Sequence, residues 1–334
     1  MSKRKLSIMM VIVMVLSFTV ACVDQGEKED IGKDVGGEGQ QEFLTIATGG
    51  TAGAYYPLGG ALANIYNEID GIIANTQATG ASVENVGLIS GKDREAQIAF
   101  IQNDVTYYAW EGIESFGDSE PVKNIRGLSV LYPEVIQIIA TKDSGIKTVE
   151  DLKGKRVAVG AAGSGTEVNA RQILQAYGLG YEDINEDMLS FNEAADQLKN
   201  KQIDAAFVTA ALPTSAVTEV TQTSDINLIP IDLEKINQLK DEYPFYTDVV
   251  IPGGIYKDND EDVVAAAVMA MLVVPEYLED DLAYELTKQL FEKKNIIEES
   301  HARGKDITLE GALEGMPIDV HPGALRYYEE QGIK

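Results

Sequence analysis

The sequence has a single cysteine, Cys22, so no internal disulfide is available to hold the fold. It has two histidines, His301 and His321, and neither stands at metal-ligand spacing from the other or from the cysteine. Basic residues are scarce: 27 Lys and Arg against 54 Asp and Glu, a formal charge of −27. That balance excludes nucleic acid as a partner, because phosphate binding runs on an excess of Lys and Arg. It fits a solvated acidic surface suited to an extracellular medium, and an anionic ligand must then be captured by local dipoles against the overall field. Catalytic and cofactor signatures are missing as well. There is no G-x-S-x-G elbow, no GK[ST] behind a glycine turn, and the glycine spacing at 160–165 is wrong for a dinucleotide fingerprint. The acidic run 258–262 lacks the glycine and closing glutamate of a calcium loop. No cofactor, no metal and no enzymatic activity are expected.

A long apolar run stands at the start. Lys3, Arg4 and Lys5 precede Leu6–Val20, which is almost wholly apolar and too short to span a bilayer comfortably. Small residues then lead into Cys22, as in a bacterial lipoprotein signal. The expectation is a signal peptide at 1–21, a lipidated Cys22 and an extracytoplasmic, membrane-anchored protein. Removing 1–21, with its three basic and no acidic side chains, takes the charge from −27 to −30. Asp24–Glu42 has almost no apolar content and reads as a disordered tether spanning on the order of 25 Å. The remaining 292 residues, 43–334, are long for one core and typical of two lobes.

Two glycine-rich turns carry the most information. Phe43–Thr48 is a short apolar strand, Gly49–Ala54 a turn, and Tyr55-Tyr56-Pro57 opens a helix with Leu58, Leu62, Ile65 and Ile69 at three- and four-residue steps. The same order returns at Arg156–Gly160, a turn at Ala161–Thr166, and a helix at Glu167–Tyr177. Strand, glycine turn and helix together aim free backbone N–H groups and a positive helix end at a small anion. Between and after these units strands and helices alternate, which predicts α/β layers. Helices are expected at 83–90, 105–111, 191–200 and 212–221, the last started by Pro213, with a short one after Thr148. Strands are expected at 96–102, 125–132, 135–141, 203–209 and 226–231. Val249–Tyr256 is expected to cross back to the first lobe, and 262–274 to be helical. The resulting division is 43–133 and 250–334 for lobe I and 134–249 for lobe II, with two hinge crossings.

These motifs resemble the TAXI family, the solute receptors of tripartite ATP-independent periplasmic (TRAP) transporters. The resemblance rests on TGGTAGAYYPLGGALA at 48–63, Gln102-Asn103-Asp104, DLKGKRVAVGAAGSGTEVNAR at 151–171, VIPGGIY at 250–256 and MPIDVHPGALRYYEEQGI at 316–333. It implies a type II periplasmic-binding-protein fold that closes on a small organic acid, such as glutamate, 2-oxoglutarate or a similar dicarboxylate. It also implies delivery to an ion-coupled membrane permease by a monomeric receptor. A same-fold receptor for an ABC importer, or a ligand-presenting partner of a membrane histidine kinase, is the alternative.

The candidate ligand-binding residues follow from the turns. Thr51, Gly53, Ala54 and Tyr55 sit where the first turn meets its helix, with Tyr55, and Tyr56 beside it, as the ring over the ligand. Gly163, Ser164, Gly165 and Thr166 form the second turn. Gln102 ends an apolar strand, and strand ends in an open α/β sheet point into the cleft. Asn85 and Thr209 occupy similar places, and Pro213 shapes the cleft wall. Arg126, Arg156 and Arg171 flank these elements without a place in the cleft legible from sequence.

Overall fold

The longest strands of the structure are the two that tie it together. In this computed structural model residues 41–334 are described; the expected signal peptide, Cys22 and the expected tether up to residue 40 lie outside the described residues. The chain opens with β1 (Glu42–Ala47), α1 (Tyr55–Tyr66), β2 (Ile72–Gln77), α2 (Ser82–Ser90), β3 (Ile98–Gln102) and α3 (Asn103–Glu111). β1 pairs in parallel with β2 and with β3, so α1 and α2 are crossover helices on the sheet. β4 (Ile125–Thr141) then leaves this half. A second parallel set follows: β5 (Arg156–Ala158), α4 (Gly165–Ala176), β6 (Asn185–Asp187), α5 (Phe191–Lys199) and β7 (Ala205–Ala210). After it come α6 (Ser215–Thr223), β8 (Ile226–Ile229), α7 (Leu233–Glu242) and β9 (Thr247–Ile251). β10 (Val263–Pro275) returns to the first half, which α8 (Asp280–Glu292), α9 (Lys294–Ser300) and α10 (Pro322–Glu330) complete. The strand order is β2-β1-β3-β10-β4-β7-β5-β6, with β8 on β4 and β9 on β10.

β4 and β10 run through both halves. Leu128, Leu131, Tyr132, Ala270 and Leu272 pack in the core of the first. Ile136, Ile138, Ala266 and Val268 pack in the core of the second. The two apolar runs read as separate strands, 125–132 and 135–141, are one strand. Pro133, which cannot donate to a ladder, sits where the β10 register slips between Met269 and Met271. β10 replaces the helix expected at 262–274. Its run AAAVMAMLVV is apolar on every side, so periodicity cannot separate helix from strand, and burial on both faces between β3 and β4 selects the strand. The crossing back is accordingly made by β10, not by 249–256. β9 only pairs with the beginning of β10, and Ile251 and Tyr256 pack with the second half.

Two smaller expectations also change. After Thr148 there is only a three-residue turn, Glu150–Leu152, whose entry is held by Asp151 accepting from the Lys147 and Thr148 amides. α6 starts at Ser215, so Pro213 precedes the helix instead of opening it. The tail motif His321-Pro322-Gly323 is a helix start: His321 Nδ1 accepts from Gly323 N at 3.2 Å, and Pro322 takes the first helical position. Among the described residues no helix is long and apolar enough to cross a membrane.

Candidate functional site

A cavity of about 70 Å³ lies where the two halves meet. That is space on the order of five waters. Helix starts build most of it. Gly53, Ala54 and Tyr55 come from the entry to α1, Ala81 and Ser82 from α2, Ser164–Thr166 from α4, and Ser190 and Phe191 from α5. Gln102, the residue before α3, completes the ring. Each helix start carries amides without intrahelical partners and the positive end of the helix dipole. Ser164 and Ser190 satisfy one amide each, from Glu167 and Glu193. α1 and α2 have no side-chain cap.

The second glycine turn supplies what α2 lacks. The Gly163 carbonyl accepts from the Val83 and Glu84 amides, both at 3.0 Å, so the loop of one half caps a helix of the other. Gly163 has φ +76°, a conformation that glycine adopts freely. It does not line the cavity; it latches the two loops.

The expected residues divide. Gly53, Ala54, Tyr55, Gln102, Ser164, Gly165, Thr166 and Thr209 line the cavity. Thr51 does not: it is exposed, and its Oγ1 accepts from Asn192 Nδ2 at 3.2 Å across the two halves. Tyr56 and Pro213 are also exposed and outside the lining. Asn85 is buried for structure, with Nδ2 donating to the Thr48 and Phe100 carbonyls. Tyr55 lines the wall but is no free lid. Its ring stacks on Phe100 at 5.0 Å and its hydroxyl donates to Glu134 Oε2 at 2.6 Å. A second aromatic ring in the lining belongs to Phe191.

Two lining atoms are buried without a hydrogen-bond partner, Gln102 Oε1 and Thr209 Oγ1. The Gln102 orientation follows from its neighbours. Asp104 Oδ2 accepts from Asn169 Nδ2 at 2.8 Å, which leaves Asn169 Oδ1 to accept from Gln102 Nε2 at 3.3 Å. Asn169 Nδ2 also reaches the Tyr246 hydroxyl, which donates to Gln172 Oε1 at 2.6 Å. This seam joins α3 to α4 behind the cavity.

Glu134, Phe191, Ser82, Thr79 and Gly80 were not legible as site residues. For Glu134 a signal exists: it is the single acidic residue of the 17-residue β4. It is 4% exposed and the only carboxylate in the lining, which holds no Lys, Arg or His. The three arginines are engaged elsewhere, Arg126 with Glu276, Arg156 with Asp204 and Arg171 with Glu114. Burial pushes Glu134 up to about 8, against the opposing hydrogen bond from Tyr55. Burial likewise pushes Asp104 up to about 6. Both groups favour the folded state while protonated, so this stability is complete below their ordinary carboxylate values and is lost as pH rises through the raised ones. Melting temperature is therefore expected to fall between pH 6 and 8, by about 2 °C per kcal/mol. Glu134→Gln is expected to flatten the profile over that window. A wild-type melting temperature that stays level there would show that Glu134 ionises freely.

The fold is that of a two-lobe, type II periplasmic binding protein. The periplasmic binding protein BugD has a TM-score of 0.54 with it at 13% identity, over 87% of this chain and 94% of that one. A structure from Bordetella bronchiseptica RB50 gives 0.50 at 18% identity, over 86% and 82%. The sequence profile of the NMT1-like family matches residues 46–332, and the chain belongs to the NMT1-like family. The arginine-binding extracellular protein ArtP of Bacillus subtilis (strain 168) is 33% identical over 89 residues. That match spans 27% of this chain and about a third of ArtP.

Proposed function

We propose that this protein is an extracytoplasmic solute-binding receptor whose two lobes close on a small organic acid. The observation that carries the reading is the convergence of the α1, α2, α4 and α5 starts on one cavity with no cationic side chain. Helix dipoles and backbone amides hold a carboxylate without a basic residue. In a chain of net charge −27, local dipoles are the means of capture that the sequence leaves available. Lobe I takes 43–133 and 269–334 and lobe II takes 134–268, a boundary later than the expected 250, because 250–268 packs onto the second half by way of β9 and the start of β10. Motion of the lobes is taken up in β4 near Pro133 and in β10 near Met269, where their ladder is irregular.

The motifs at 48–63 and 316–333 favour a TAXI receptor of a TRAP transporter, carrying glutamate, 2-oxoglutarate or a similar dicarboxylate. In this reading the receptor is lipid-anchored through Cys22 and hands its ligand to the permease. A neighbouring gene for a large fused permease supports this partner; one for an ATPase favours an ABC importer.

Thermal unfolding against a panel of dicarboxylates, 2-oxoacids, amino acids and sugars tests the receptor itself. A ligand at a hundred times its Kd adds about 2.7 kcal/mol. Thr166→Ala is expected to weaken binding of the responding acid about tenfold, the worth of one hydrogen bond to a charged group. Thr51→Ala should change it by less than about threefold, since its hydroxyl makes only an exposed contact. The reverse pattern would place the ligand outside this cavity. Turnover of the bound acid would make the protein an enzyme and overturn the reading.

A further inference from the structure

The cavity presents a carboxylate to a ligand that the helix starts select for being anionic. Glu134 lies at its wall on β4, with Tyr55 of α1 donating to Oε2 and the Gln102 side chain against the same carboxyl. The other titratable groups that face it are Tyr132 on its own strand and Asp104 at the start of α3. None of them brings a positive charge. The nearest acids of α2 and α5, Glu84 and Glu193, are turned onto their own loops, accepting from the Gly80 and Ser190 amides. Thr209, whose Oγ1 has no partner, projects from β7, paired to β4 at Ile136. An anion entering this space meets a second negative charge with no counter-charge from the protein, in surroundings where such repulsion is poorly screened. The charge has to be balanced by the ligand or by a proton.

We propose that Glu134 is a specificity-determining residue that balances the charge of the bound acid. It pairs with the ammonium group of an amine-bearing acid, and it takes up a proton from water before an amine-free dicarboxylate occupies the same cavity. An ammonium has three N–H donors and no acceptor, which suits the acceptors found here: Glu134, the Gln102 oxygen and the Thr209 hydroxyl. A protonated Glu134 would instead donate to the amine-free ligand, as buried neutral carboxylic acids do at other sites. The inference rests on the receptor reading above.

The test is isothermal titration of the mature protein with L-glutamate and with glutarate, which share a carbon chain and differ by the amine. Titrations at pH 6 and pH 9, in buffers of different ionisation enthalpy, report proton uptake. For the wild type, glutarate is expected to bind about tenfold more weakly at pH 9 than at pH 6 and to take up protons there, while L-glutamate shows the opposite trend, binding at least about tenfold more tightly at pH 9 and releasing protons on binding at pH 6. In Glu134→Gln, close in shape and still able to accept from Tyr55, the proton uptake disappears. The preference for L-glutamate at pH 9 falls at least about tenfold. Tyr55→Phe removes the hydrogen bond that favours the charged carboxylate, so the pH at which glutarate binding weakens moves upward. If glutarate does not bind at either pH, a tenfold or greater loss of L-glutamate binding in Glu134→Gln supports the proposal, and an unchanged Kd overturns it. Equal pH dependence in wild type and Glu134→Gln overturns the proposal and leaves the receptor intact. Failure of both acids to bind the wild type overturns the proposal together with the organic-acid reading.

Discussion

Gly165→Ala is expected to weaken ligand binding about 100-fold while leaving the protein folded. Gly165 is the first residue of α4, where alanine is the better helix former. The cost falls on closure. A Cβ at this position would stand 1.7 Å from Gln102 Oε1 and 2.4 Å from its Cδ. Gln102 cannot swing aside freely, because it is 2% exposed and its amide is held by Asn169. The start of α4 must therefore stay apart from the end of β3. A penalty of about 3 kcal/mol on the closed state lowers apparent affinity by the population of that state, roughly two orders of magnitude. Titration should show the loss of affinity, thermal unfolding of the ligand-free variant should be unchanged, and solution scattering with ligand should report the more open form. Binding at the wild-type level would show that Gln102 finds another rotamer and that these surfaces need not meet. Gly80→Ala probes a second contact between the two halves, since its Cβ would stand 2.7 Å from the Ala162 carbonyl.

Gly323→Ala is expected to act on stability instead. A Cβ there would meet the Asp280 carbonyl at 2.0 Å and the Tyr284 amide at 2.8 Å. Both are backbone atoms of α8 or its first turn, so relief requires α10 to move off α8. That would disturb the packing of Ala324, Tyr327 and Tyr328 against Leu286 and Leu290. Overpacking against backbone in a close helix pair costs about 3 kcal/mol or more. The melting temperature should drop by roughly 6 °C or more. The Kd for the responding acid should hold, because α10 contributes nothing to the cavity wall. A loss under about 1 kcal/mol would mean that the α8–α10 contact has slack.

How far the molecule was legible depends on whether a feature is local. The two glycine turns and the helices behind them were readable, because a short apolar run, a turn and a three-to-four-residue step are signals carried within one stretch. The lining by Gly53, Gly165, Thr166 and Gln102 follows from that local order and from the rule that ligands lie at strand ends. β10 was not readable, because a run apolar on all sides has no period to interpret. The Pro133 break was misread for a related reason. A proline interrupts a strand unless its partner slips register opposite it, and that slip belongs to β10, about 136 residues further along.

By itself the sequence determined the α/β class, the absence of disulfides, the acidic surface and the places where backbone amides would gather. Each of these is set by composition or by neighbours in the chain. Only the tertiary structure decided that Glu134 enters the cavity, that Thr51 points to solvent, and that Gly163 caps α2. It also decided that His321 and Gly323 serve helix packing. The side a residue faces, and the group it meets there, depend on strand pairing and helix contact between segments far apart in the chain. Local propensity does not carry that information.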